Sequence, residues 1–198
     1  LSFLLAHFLG FLNPKRGVFL RYRRKDMSEE LRVYVADLAA YNNGCLHGVW
    51  IDATLEVDEM QEQVSQMLKA TPLDEEAEEY AIHDYEGFGA YKVSEYEGLE
   101  SVHEVACFLE EHGEVAGDVL AHFGDNLEDA RKALEENYNG CYNSLADYAE
   151  ELTTETSEVP EHLAFYIDYE KMGRDMELSG DVFTVETGYQ EVHVFWSH

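Results

Sequence analysis

The sequence predicts an α+β protein, an elongated chain of three small domains: an α+β module, a short helical bundle and a second α+β module. Three observations carry this. Apolar residues alternate with a period of two near both ends of the chain, they recur with a helical period between, and the acid–base balance is extreme. The expected boundaries are 27–97, 98–138 and 139–198, preceded by an extension, 1–26.

In the first module, LRVYVADL (31–38) puts Leu31, Val33 and Val35 on one face of a strand. YNNGC (41–45) supplies turn chemistry at Asn43-Gly44, and LHGVWIDATL (46–55) returns as a second strand. Met60, Val64, Met67 and Leu68 mark an amphipathic helix over 58–69 that stops before Pro72. EEYAIHDY (78–85) is a third strand, with Tyr80, Ile82 and Asp84 on one side and Ala81 and His83 on the other.

The period is helical from 98 to 137. Leu99, Val102, Ala106 and Leu109 form one stripe, Val115, Val119, Leu120 and Phe123 the next, and Leu127, Ala130 and Leu134 a third, punctuated by Gly113 and Gly124. A bundle this thin is too small to stand alone. In the last module Leu145, Tyr148, Ala149 and Leu152 point inward from one helix. A second helix opens at Pro160 and carries Leu163, Tyr166 and Ile167. DVFTVETGYQEVHVFW (181–196) reads as a hairpin around Thr187-Gly188.

Of 198 residues, 13 are basic and 42 acidic, a formal charge of −29. Six of the bases lie in residues 1–26 with only Asp26 opposing them, so Met27 onward holds 13 − 6 = 7 bases and 42 − 1 = 41 acids, a net −34. Such a surface repels nucleic acid and anionic membranes and attracts basic partners. Disorder is opposed by a hydrophobic content of 45%. Halophilic adaptation is opposed by 29 Glu against 13 Asp. The odd set Cys45, Cys107 and Cys141 fits reduced thiols in a cytoplasmic protein. Residues 1–26 run from apolar to basic, the reverse of a secretory signal, and are expected to be a poorly ordered extension outside the fold.

Catalytic motifs are missing. HEVACFLEEH (103–112) lacks the histidine four residues on that a zinc-protease helix needs, HGE (112–114) has no PCxxC to follow, and Cys45 with His47 is an isolated C-x-H. Carboxylate pairs that could serve glycoside hydrolysis carry no specificity among 42 acids. The acids are nevertheless patterned. Glu100, Glu104 and Glu111 lie opposite an apolar stripe, and Asp147, Glu151 and Glu155 form a four-residue row with Glu150 beside it. One such row is an ordinary solvated face; several elements doing the same suggests a surface imitating a polyanion. Duplex DNA carries about one charge per ~1.7 Å, so the net charge from Met27 onward matches roughly 58 Å of duplex. A compact domain of that size has a radius of gyration of only ~15–16 Å, which is why the three modules are expected end to end.

VYVADLAAYNNGCLHGVWID (33–52), EEYAIHDYEGF (78–88) and VPEHLAFYIDYEKMGRDMELSGDVFTVETG (159–188) resemble the ArdA antirestriction proteins of phages, plasmids and conjugative transposons. The resemblance starts near Met27 and has no counterpart for 1–26; the loop GFGAYKVSEYEG after Glu86 is longer than the family's pattern. It implies a non-enzymatic DNA mimic that occupies the DNA groove of type I restriction–modification enzymes, formed by their specificity and modification subunits. No catalytic residue, cofactor or metal is implied. Its acidic surface would comprise Asp52, Glu56, Glu59, Glu62, Glu75, Glu76, Glu78 and Glu79 in the first module. Glu100, Glu104, Glu110, Glu111, Asp118, Glu128, Asp129, Glu135 and Glu136 would continue it in the second, and Asp147, Glu150, Glu151 and Glu155 in the third. The resemblance also implies a homodimer through residues 139–198, for which Tyr138, Tyr142, Phe165, Tyr166 and Tyr169 are candidates. A generic acidic chaperone or scaffold for basic proteins is the alternative.

Overall fold

The computed structural model describes residues 30–73, 77–113 and 115–197. The extension 1–26 and the acidic candidates Glu75 and Glu76 lie outside the described residues. The chain divides after Leu134 into two compact units, each mixing helix and strand.

The unit ending at Leu134 is built on an antiparallel sheet, β2–β1–β3, of β1 (Arg32–Asp37), β2 (Gly48–Asp52) and β3 (Tyr80–Glu86). Val33 and Val35 are fully buried on the central strand, opposite Ile51 and Val49 on one side and Tyr85 and Ile82 on the other. Strict alternation along β3 fails. The register steps from Asp84 opposite Tyr34 to Ile82 opposite Val35, leaving His83 as an extra residue in a bulge. Ile82 and Asp84, expected on one face, therefore point to opposite faces: Ile82 is buried and Asp84 exposed. Between β1 and β2 the chain forms a short helix, α1 (Leu38–Asn42), where the sequence suggested only a turn. Asp37 ends the strand and caps this helix, its carboxylate accepting from the Ala40 amide at 3.0 Å.

Helix α2 (Val57–Lys69) buries Met60, Val64 and Met67 as its periodicity required. Helices α3 (Leu99–His112), α4 (Val115–His122) and α5 (Leu127–Lys132) follow, and a π-helical turn, Ala133–Asn137, leads directly into the next strand. Helix α3 packs on α2 as well as on α4 and α5. Gly117 on α4 sits against the loop after β3: a Cβ there would lie 3.2 Å from the Ala90 nitrogen.

The unit from Glu135 pairs β4 (Tyr138–Tyr142), β6 (Glu191–Trp196) and β5 (Val182–Gly188) in the antiparallel order β4–β6–β5. On one face α6 (Leu145–Thr156) and α8 (Tyr169–Ser179) enclose Tyr148, Val182 and Val194, with Tyr142, Leu152, Met176 and Trp196 around them. The opposite face carries Phe183 stacked on Phe195 at 4.8 Å and Tyr138 at 5.1 Å from the same ring. Strand β4 was not foreseen. The helix expected from Pro160 is only α7 (Glu161–Ala164), and Leu163 and Tyr166, assigned to it, are exposed. A separate helix, α8, starts after its cap Asp168, whose carboxylate accepts from the Lys171 amide at 3.0 Å, and ends at Gly180 in the left-handed region. The hairpin turn lies two residues beyond the expected Thr187-Gly188, at Tyr189-Gln190, since Gly188 still pairs with Glu191. Among the described residues no helix is long and apolar enough to cross a membrane.

Candidate acidic interface

Helices α2, α3 and α5 turn their apolar residues inward, which leaves their acids on the outside. On α3, Leu99, Val102, Val105, Ala106, Phe108 and Leu109 are buried, and Glu100, Glu104, Glu110 and Glu111 are exposed. On α2, Glu59 and Glu62 are exposed on the flank away from Met60 and Val64, with Glu56 at the helix entrance. Asp52 ends β2 and accepts from the Thr54 amide and hydroxyl at 2.9 and 2.7 Å. Glu78 and Glu79 lead into β3 and are exposed. Glu128 and Asp129 stand in the first turn of α5, whose amides are capped by Asn126. Glu135 and Glu136 lie exposed on the π-helical turn. Among the described candidates only Asp118 and Glu151 are half-buried rather than exposed.

Local electrostatics lower the cost of this crowding. Asp58 and Glu59 on α2, Glu100 on α3, Asp118 on α4, Glu128 and Asp129 on α5 and Asp147 on α6 all lie in first turns. There the positive end of the helix dipole favours an anion by roughly 0.3–1 kcal/mol. Bases are placed by the same logic, with Lys69 closing α2 and Arg131 and Lys132 closing α5.

The row on α6 is uneven. Ser144 caps the helix, and Asp147, Glu150 and Glu155 are exposed. Glu151 accepts from the Tyr142 hydroxyl at 3.2 Å, and burial together with that carboxylate pushes the Tyr142 phenol well above its ordinary value. Tyr142 packs edge-on against Tyr148 beside its unit's core, and Tyr138, on the opposite sheet face, stacks with His193 and bonds it at 2.9 Å. Tyr169 is half-buried at the start of α8. Of the five aromatic candidates, Phe165 (92% exposed) and Tyr166 (80%) alone offer large uncovered rings.

Two features escaped the sequence. The exposed acids of α8 (Glu170, Asp175 and Glu177) belong to a helix whose pattern has few apolar residues to reveal it. The arginine partners were equally hidden. Arg32 bonds Glu86 at 2.7 Å and lies over the Trp50 ring at 4.8 Å. Arg131 bonds Glu111 at 2.9 Å and lies over Phe108 at 5.5 Å, and that hydrogen bond holds the Glu111 carboxyl below its ordinary range. Both pairs are long-range in sequence, so only the fold brings them together.

No curated protein matches the chain. The family model for the antirestriction protein ArdA matches residues 33–191.

Proposed function

Because the chain belongs to the ArdA antirestriction family, we propose that it opposes restriction as a mimic of duplex DNA. It occupies the DNA groove formed by the specificity and modification subunits of a type I restriction–modification enzyme and excludes DNA from it. Restriction is inhibited, and modification with it, since both need the same groove. The protein cuts and modifies nothing, binds no nucleic acid and acts in the cytoplasm, where incoming DNA meets the enzyme.

The observation that carries this reading is the outward placement of acids on successive elements, from Asp52 on β2 through α3 to Asp147 and Glu155 on α6. A groove lined with Lys and Arg recognises phosphates mainly by charge and spacing, and a folded array of fixed carboxylates offers both. The segments 27–97, 98–138 and 139–198 carry that array in succession along an elongated particle. Two copies joined through residues 139–198 by a two-fold axis make it continuous, with Phe165 and Tyr166 supplying apolar contact.

Competition tests the proposal: the protein should displace duplex DNA from a type I methyltransferase core, less effectively as salt rises. Failure to displace at low salt refutes mimicry, and salt-insensitive displacement would reveal an apolar interface instead. The acidic scaffold alternative predicts similar affinity for many basic proteins that lack a duplex groove.

A further inference from the structure

Granted the DNA-mimic function proposed above, we infer that Arg32 and Arg131 are internal counter-ions that withhold Glu86 and Glu111 from the partner, so that the array presents fewer charges than it contains. The same three-part clamp occurs twice in one unit. In each, a guanidinium lies over an aromatic ring and bonds a carboxylate on a neighbouring element: Arg32 on Trp50 and Glu86, Arg131 on Phe108 and Glu111. Arg32 also reaches Glu30 at 3.3 Å, and Glu111 has the His112 ring at 3.8 Å.

A cation on the surface of a polyanion mimic would repel a Lys/Arg-lined groove. Ring and carboxylate together prevent this: the ring restricts the guanidinium's swing, and the fork is occupied by the acid. The clamps lie at the surface rather than in the core, since the side chains of Arg131 and Glu111 are 41% and 59% exposed and those of Arg32 and Glu86 are 37% and 48%. Removing the arginine therefore leaves a carboxylate where a partner reaches it. Glu111 thus has a different role from its exposed neighbours Glu104 and Glu110.

The experiment compares the full-length protein with R131M, which keeps aliphatic cover over Phe108, and with the double variant E111Q/R131M, which restores the net charge. Each is titrated against a type I methyltransferase core bound to duplex DNA and, separately, against oligolysine, at several salt concentrations. Melting temperatures identify any variant that has lost its fold, and R32M then stands in, with E86Q/R32M as its charge-restored double. The expected result is that R131M binds oligolysine ~2–5-fold more tightly than wild type at low salt, the span of one exposed ion pair. Its dependence on salt should be steeper, and the double variant should return to wild type. On the methyltransferase core the same order should hold. If a folded R131M leaves oligolysine affinity and salt dependence unchanged, or the double variant tightens as much as the single, the inference is overturned. If wild type fails to displace DNA while the oligolysine order holds, mimicry fails and the counter-ion role stands.

Discussion

Asp37 is the only fully buried charged residue among those described, and it stands where β1 gives way to α1. Burial acts to raise its pKa, but the hydrogen bond from the Ala40 amide, together with the nearby Thr71 hydroxyl, Ala39 amide and His47 ring, outweighs burial and holds it below the usual carboxylate range. A group depressed on folding stabilises fully above its unfolded pKa, about 4, and loses that contribution as pH falls through the folded value. Asp37→Ala should cost ~2 kcal/mol at neutral pH, with the gap to wild type narrowing in acid; urea melts at pH 7 and pH 3 measure it. Equal gaps at both values would show that the charge does not matter. Tyr148 presents the reverse case. Its hydroxyl is buried and finds no hydrogen-bond partner among the described residues, so Tyr148→Phe should leave the melting temperature unchanged or raise it. On the surface, no single acid should dominate. Neutralising one exposed carboxylate such as Glu104 should weaken displacement of DNA by under ~1 kcal/mol, and abolished inhibition in a folded E104Q would contradict a distributed surface.

Helices α6 and α8 meet at Gly173, where an added Cβ would lie 2.9 Å from the Leu145 carbonyl oxygen. Backbone cannot retreat as a flexible side chain can, so Gly173→Ala should lower stability by ~1–3 kcal/mol and loosen the core around Tyr148 and Val194. Thermal melts with near-ultraviolet circular dichroism would register both effects, and an unchanged melt would mean the helices separate freely. That close approach was invisible in the sequence, where α8 itself was not expected. Long amphipathic elements were legible. The stripe of α2 and the strand at Val33 and Val35 bury the residues their periodicity named. What stayed hidden were short elements fixed by tertiary contact. YNGCY carries a turn signal yet forms β4, because β6 supplies its hydrogen-bonding partner. The bulge at His83 likewise cannot be read from a run that alternates locally. The acidic rows were legible because burying one helix stripe exposes the other; which acids are engaged by Arg32, Arg131 or Tyr142 was not, since those partners are distant in sequence.

For the whole molecule, charge matching to a duplex demands length, and small-angle scattering of the proposed dimer should give a particle well beyond the radius of a compact dimer of equal mass. A globular profile would end the mimic's geometry, whatever the affinity. The segment between α6 and α8 bears on the same question. Residues 160–166 are all exposed and α7 buries none of its side chains, while Phe165 and Tyr166 hold their rings out at 6.0 Å from each other. A chymotrypsin-like protease seeks such a stretch: accessible backbone, little packing to undo, and large aromatic rings preceding the scissile bond. If two copies meet through these rings, the nick after Phe165 or Tyr166 should appear on dilution and fade as concentration rises. Cleavage that ignores concentration would leave the rings facing solvent in the working protein, and would send the search for the two-fold contact elsewhere on the unit that follows Leu134.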